Sequence, residues 1–134
     1  MFERTEGIRP FLTFSGCAEE AVNFYVSVFP NAKITNLTKY GKDEQGIEGT
    51  VLNATFELNG SQILAMDLDK AYAPDFTWSI SLFVSCKDSD EFDQLFNKLS
   101  DGGNVMMGPE PVFDLRKVAW VTDKFGVTWQ LVWE

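Results

Sequence analysis

The chain contains no histidine. Without an imidazole there is no Ser-His-Asp or Cys-His nucleophile, no histidine general base and no His-ligated zinc or iron centre. Two cysteines, Cys17 and Cys86, are too few for a structural zinc cluster. They could close one disulfide, but the reduced state is the expectation in a reducing compartment. Each stands just before a helix candidate, where a thiol pKa can fall. With no base beside either in sequence, the expected role is a small buried hydrophobe.

The groups left for chemistry are neutral. Ser79, Ser81 and Ser85 alternate onto one strand face with Phe83. A row of hydroxyls beside an aromatic ring suits a polar-rimmed ligand pocket; a merely solvated strand face would look the same. Gln130 interrupts an apolar strand between Trp129 and Leu131, and a carboxamide can both donate and accept. Trp120, Phe83, Leu12 and Phe14 are the candidate apolar walls. Arg116 could grip an anion bidentately, although cations at strand ends such as Arg9, Arg116 and Lys117 are more often solvated or paired. No residue is assigned a catalytic role.

Those side chains must be positioned by a chain of 134 residues, one domain's worth, with 45% hydrophobic and 23% charged residues. No apolar run approaches the ~20 residues of a membrane span. No basic segment followed by an apolar one opens the chain, so the expected address is the cytoplasm. Eleven Lys and Arg against 20 Asp and Glu leave a net charge of −9, which repels nucleic acid and anionic membranes alike.

Periodicity divides the chain into two halves of equal order. In the first, a strand candidate spans residues 8–14. Ala18, Ala21, Val22, Tyr25, Val28 and Phe29 then fall on one helical face that Pro30 stops. Strand candidates follow at 32–40, 50–58 and 62–68, with Asn59-Gly60 as a hairpin signal. Residues 69–77 read as a connector. In the second half, 78–86 alternates as a strand. Asp88 and Glu91 have capping-box spacing ahead of the stripe Phe92, Leu95, Phe96 and Leu99, and Gly102-Gly103 closes the helix. Strands are expected at 104–107, 117–122 and 127–133, with a turn at 123–126. The fold class is α+β: two βαβββ modules, 8–68 and 78–134, whose sheets join with the helices on one face. The other face curls into a cup. Ile80, Leu82, Trp129 and Leu131 should pack under the helices, while Gln130, Ser79, Phe83 and Trp120 face the cup.

The order βαβββ twice resembles the vicinal-oxygen-chelate superfamily of glyoxalase I, bleomycin-resistance proteins and extradiol dioxygenases. Within it, the stretches AEEAVNFYVSVFPNAKI (18–34), FELNGSQILAMD (56–67), WSISLFV (78–84) and DKFGVTWQL (123–131) resemble the PhnB-like family, also labelled 3-demethylubiquinone-9 3-methyltransferase. The resemblance implies the glyoxalase/bleomycin resistance fold, a site in the cup and a homodimer that completes it. In metal-using relatives four strand positions supply ligands. By register these fall here on Pro10, Ala65 or Met66, Ser79 and Gln130. None is an imidazole, thiolate or carboxylate, so no metal and no cofactor are expected. The methyltransferase label finds no Gly-rich turn after a parallel strand, since Gly102-Gly103 follows a helix. The expected function is metal-independent binding of a small, possibly aromatic molecule. An enzyme of the same fold, working through a bound cofactor or a Glu or Cys base, is the alternative.

Overall fold

The computed structural model describes residues 7–134. It contains two compact units, one ending at Pro74 and the other running Asp75–Glu134. The division falls inside the expected connector.

In the first unit the order is β1 (Phe11–Phe14), α1 (Ala18–Val28), β2 (Lys33–Lys39), β3 (Val51–Leu58) and β4 (Ser61–Asp67). The sheet runs β1-β4-β3-β2, with β1 parallel to β4 and the other pairs antiparallel. β1 is shorter than the expected strand. Its ladder begins at Phe11↔Leu64, and Ile8 is fully exposed. Asn59 and Gly60 take φ of 50° and 87°, as a tight hairpin with two left-handed positions demands. Tyr25 stacks on Phe56 at 6.2 Å between ring centroids, so the Ala54/Phe56 face of β3 lies under α1. The expected helix stripe is core: Ala18, Ala21, Val22 and Tyr25 are completely buried.

α1 has no capping side chain of its own at Cys17. The buried carboxylate of Asp67, at the end of β4, does that work from a distance in sequence. Its Oδ1 accepts from the N–H groups of Gly16 (2.9 Å) and Ala18 (3.0 Å), and its Oδ2 accepts from Val51 N–H (2.9 Å). One side chain thus ties together the helix start, β4 and the beginning of β3.

The second unit repeats the topology. β5 (Leu82–Ser85), α2 (Ser89–Ser100), β6 (Asn104–Val112), β7 (Leu115–Thr122) and β8 (Thr128–Trp133) form a sheet ordered β5-β8-β7-β6. Asp88 caps α2, its Oδ1 accepting from Glu91 N–H at 2.8 Å. Phe92, Leu95 and Leu99 are buried. A Cβ on Gly103 would run into the Thr122 carbonyl oxygen, so the chain leaves the helix past β7 at a distance only glycine allows.

Two departures from the expected elements have clear causes. β6 extends to Val112 although Gly108, Pro109 and Pro111 read as breakers. It is an edge strand with several register shifts, where missing donors are tolerated. β5 is only half as long as the expected strand over 78–86. Its ladder with β8 starts at Leu82↔Trp129, so residues 78–80 would have to pair with 125–127, where the chain is leaving the turn around Gly126. Thr77 and Ser79 instead bond each other through their hydroxyls, and Ser79 N–H donates to Thr77 Oγ1. Ile80, expected in the core, is 77% exposed.

Asp67→Ala removes the acceptor of three N–H groups and should lower the unfolding free energy by at least about 2 kcal/mol, at ~1–3 kcal/mol per stranded buried donor. Urea denaturation of wild type and variant measures the difference.

Candidate functional site

In the second unit the phase of β8 decides which side chains can meet a ligand. Asp123 is buried at the end of β7. Its Oδ1 accepts from Phe125 N–H (2.8 Å) and Val127 N–H (3.1 Å), and its Oδ2 accepts from the indole Nε1–H of Trp129 (2.8 Å). This anchors Trp129 on the α2 side. Leu131, Ala119 and Val121 share that side, fully buried, and Lys117 reaches from it to Ser89 Oγ (2.7 Å) and Asp93 Oδ1 (2.8 Å) on α2. Alternation then sends Gln130 to the opposite face.

On that face Gln130 pairs with Phe83 of β5 on one side and Trp120 of β7 on the other. Its Nε2 donates to Ser81 Oγ at 3.1 Å. Trp78 packs against Trp120, with ring centroids 6.0 Å apart and planes tilted by 53°. Trp78 and Phe83 are each 60% exposed. Thr128, Val132 and Val118 form a buried floor beside them. Thr122 hydrogen-bonds Thr128 through their hydroxyls (3.0 Å) and donates to Met106 Sδ (3.2 Å). The result is an exposed aromatic surface around one carboxamide and one hydroxyl.

Of the residues singled out in the sequence, Ser81, Phe83, Trp120 and Gln130 therefore come together. Ser79 does not join them; it lies outside the strand, exposed, and bonded to Thr77. Leu12 and Phe14 pair with Ala65 and Asp67, and Ala65 pairs with Ala54, which places both on the α1-covered face of the first unit. Phe14 is core, 1% exposed. Trp78 was missed because alternation through 78–86 puts it with the helix-facing set; once the strand starts at Leu82, that phase no longer reaches it. No sequence signal marks Trp78 for this face, since its partner Trp120 is distant in the chain.

The Cys86 thiol is not activated. Burial, and next the carboxylate of Glu91, push Cys86 from 9.0 up to about 11. No group of three His, Cys, Asp or Glu able to hold a metal occurs among the described residues. The register positions of the superfamily's ligands, Pro10, Ala65 or Met66, Ser79 and Gln130, offer a ring with no donor atom, a methyl or thioether, a bonded hydroxyl and a carboxamide. The buried carboxylates Asp67 and Asp123 spend their oxygens on N–H groups. These residues do not fit a catalytic metal. The first unit carries an open depression of about 470 Å³ lined by residues including Lys33, Glu57 and Asn59. Its two charges, Lys33 and Glu57, pair with each other at 3.7 Å.

Repeated βαβββ units with this strand order define the glyoxalase/bleomycin resistance fold. A glyoxylase/bleomycin resistance protein/dioxygenase domain from Frankia sp. EAN1pec has the same fold: TM-score 0.66, 14% identity, covering 98% of each chain. Residues 6–132 match the family model described as 3-demethylubiquinone-9 3-methyltransferase, and the chain belongs to that PhnB-like family. A Bacillus cereus structure described as a 3-demethylubiquinone-9 3-methyltransferase, PhnB protein, is 39% identical, with TM-score 0.86 over 96% of this chain and 100% of that one. Protein PA1353 from Pseudomonas aeruginosa is 25% identical, with TM-score 0.86 over 97% and 98% of the two chains. Among curated proteins, none matches this chain.

A raised thiol pKa has two readouts. In a Cys17→Ser background, Cys86 should react with iodoacetamide at pH 8 about 100-fold more slowly folded than unfolded, the thiolate fraction implied by a move from 9.0 to about 11. Between those pH values the unfolded chain gives up the proton and the folded chain keeps it. Stability from this group is therefore full below pH 9 and is lost as pH rises through about 11.

Proposed function

We propose that this protein binds a small aromatic molecule, without a metal, on the second unit's open sheet face. The observation that carries the reading is the set Trp78, Phe83 and Trp120 held around Gln130 and Ser81, with two of the rings 60% exposed to solvent. Exposed indole and phenyl faces stabilise little by themselves in water. A planar ligand stacked on them gains burial and favourable ring geometry. The methyltransferase description receives no support from the helix starts: Asp67 already occupies the N–H groups before α1, and Asp88 caps α2.

A thermal-shift series tests this. A panel of neutral bicyclic aromatics should contain compounds that raise Tm, because a ligand selective for the folded state stabilises it. Phe83→Ala should remove most of that rise while leaving the ligand-free Tm nearly unchanged. EDTA should leave Tm where it is, and S-adenosylmethionine should not shift it. A panel without a hit, or an EDTA-dependent drop, overturns the reading.

The protein acts as a cytoplasmic homodimer in this proposal. Ile8, Tyr72 and Phe113 are 101%, 79% and 99% exposed in one copy, apolar surface that a second copy would cover. Light scattering should give about 30 kDa, twice the 15.1 kDa chain. A 15 kDa species across micromolar concentrations overturns it.

A further inference from the structure

Gln130 and Ser81 are bonded to each other, and that bond decides what they offer a ligand. A carboxamide has a carbonyl acceptor and two N–H donors; a hydroxyl has one donor and two lone pairs. With one N–H given to Ser81 Oγ at 3.1 Å, Gln130 Oε1 keeps its acceptor capacity and the Ser81 O–H keeps its proton. Turning the carboxamide over exchanges the roles without changing the outcome. The hydroxyl then donates to Oε1, and the amide N–H groups stand beside a hydroxyl oxygen. Either way, an acceptor and a donor lie side by side.

The surroundings set the size and charge of what can bind there. Phe83 and Trp120 lie on the strands flanking Gln130, so their backbones are roughly 10 Å apart, twice the strand spacing. That separation suits a fused bicycle lying across β8 with one edge over Gln130. On this face β5 and β8 contribute Phe83, Ser85, Thr128, Gln130 and Val132, none of them charged. Glu110 pairs with Val118 at the outer strand, two strands away from β8. Arg116 gives its Nε–H to the Glu134 carbonyl oxygen (2.8 Å) and stacks on Trp133, 4.1 Å from the ring centroid.

Resting on the binding face proposed above, we infer that Gln130 and Ser81 select an uncharged bicyclic aromatic whose edge carries a hydrogen-bond donor next to an acceptor, as in a fused lactam. Such an edge satisfies both partners with two bonds. An acceptor-only or donor-only edge leaves one of them desolvated and unpaired, which is the costly outcome.

Isothermal calorimetry on the intact protein with three uncharged bicycles separates the possibilities. 2-Quinolone presents N–H beside C=O, quinoline presents an acceptor only, and indole presents a donor only. Wild type should bind 2-quinolone at least ten-fold more tightly than either of the others. Gln130→Met, which keeps the side chain's length and removes its polar atoms, should bring the three within about two-fold of one another, and Ser81→Ala should narrow the gap. Both variants should melt like wild type. If all three bind equally to wild type and Phe83→Ala weakens all of them, the aromatic face stands and the edge selection falls. If none binds, both readings fall.

Discussion

A buried carboxylate with three N–H donors sets the geometry of the second unit. Asp123 closes the turn through Phe125 and Val127 and then takes the indole N–H of Trp129. A strand has a period of two, so anchoring one side chain assigns every other side chain in it to a face. Trp129 under α2 means Gln130 away from it. Through the pairings Phe83↔Gln130 and Trp120↔Gln130, the same anchor aligns three strands around one carboxamide. The cost of burying the carboxyl group is offset only because its oxygens are fully used. The same property makes it useless as a ligand for anything else.

The first unit solves a similar problem with a different side chain. Asp67 gathers N–H groups from before α1, from its first residue and from the start of β3. The face away from α1 mixes polar and apolar side chains: Asn36 donates to Asn53, the Thr55 hydroxyl is buried without a hydrogen-bond partner among the described residues, and Leu64 and Phe11 stand beside them by register. Equal topology therefore supports unequal surfaces. One sheet face pairs Asn36 with Asn53, and the other sets Gln130 and Ser81 among tryptophan and phenylalanine. Family membership follows from the topology and the matched sequence; the chemistry follows from what stands on these faces. Here that chemistry contains no imidazole and, among the described residues, no group of three acids or thiols able to hold a metal, and the Cys86 thiol is pushed up rather than activated.

Much of the fold was legible in the residues. Helix stripes such as Ala21-Tyr25 and Phe92-Leu99, the capping spacing of Asp88 with Glu91, and Asn59-Gly60 are local signals, and each acts over a few residues. The alternation of 128–133 was enough to separate Gln130 from Trp129. Strand ends were not legible. Whether residue 79 pairs depends on whether a partner strand continues opposite it, and the partner here turns at Gly126. β6 escaped in the other direction: prolines that read as breakers are tolerated at a sheet edge, and only the strand order says which strand is an edge.

Composition and short-range pattern by themselves determined the βαβββ repeat, the helix faces and the absence of histidine chemistry, because those depend on residue type and on spacing within one element. The tertiary structure alone decided that Phe14 is core and Trp78 belongs beside Trp120. It also decided that Ser81 rather than Ser79 meets Gln130. These are contacts between residues some 40 to 55 positions apart or more, such as Ser81 with Gln130 at a separation of 49. No local rule encodes them. They are set by which strand lies next to which, and in what register.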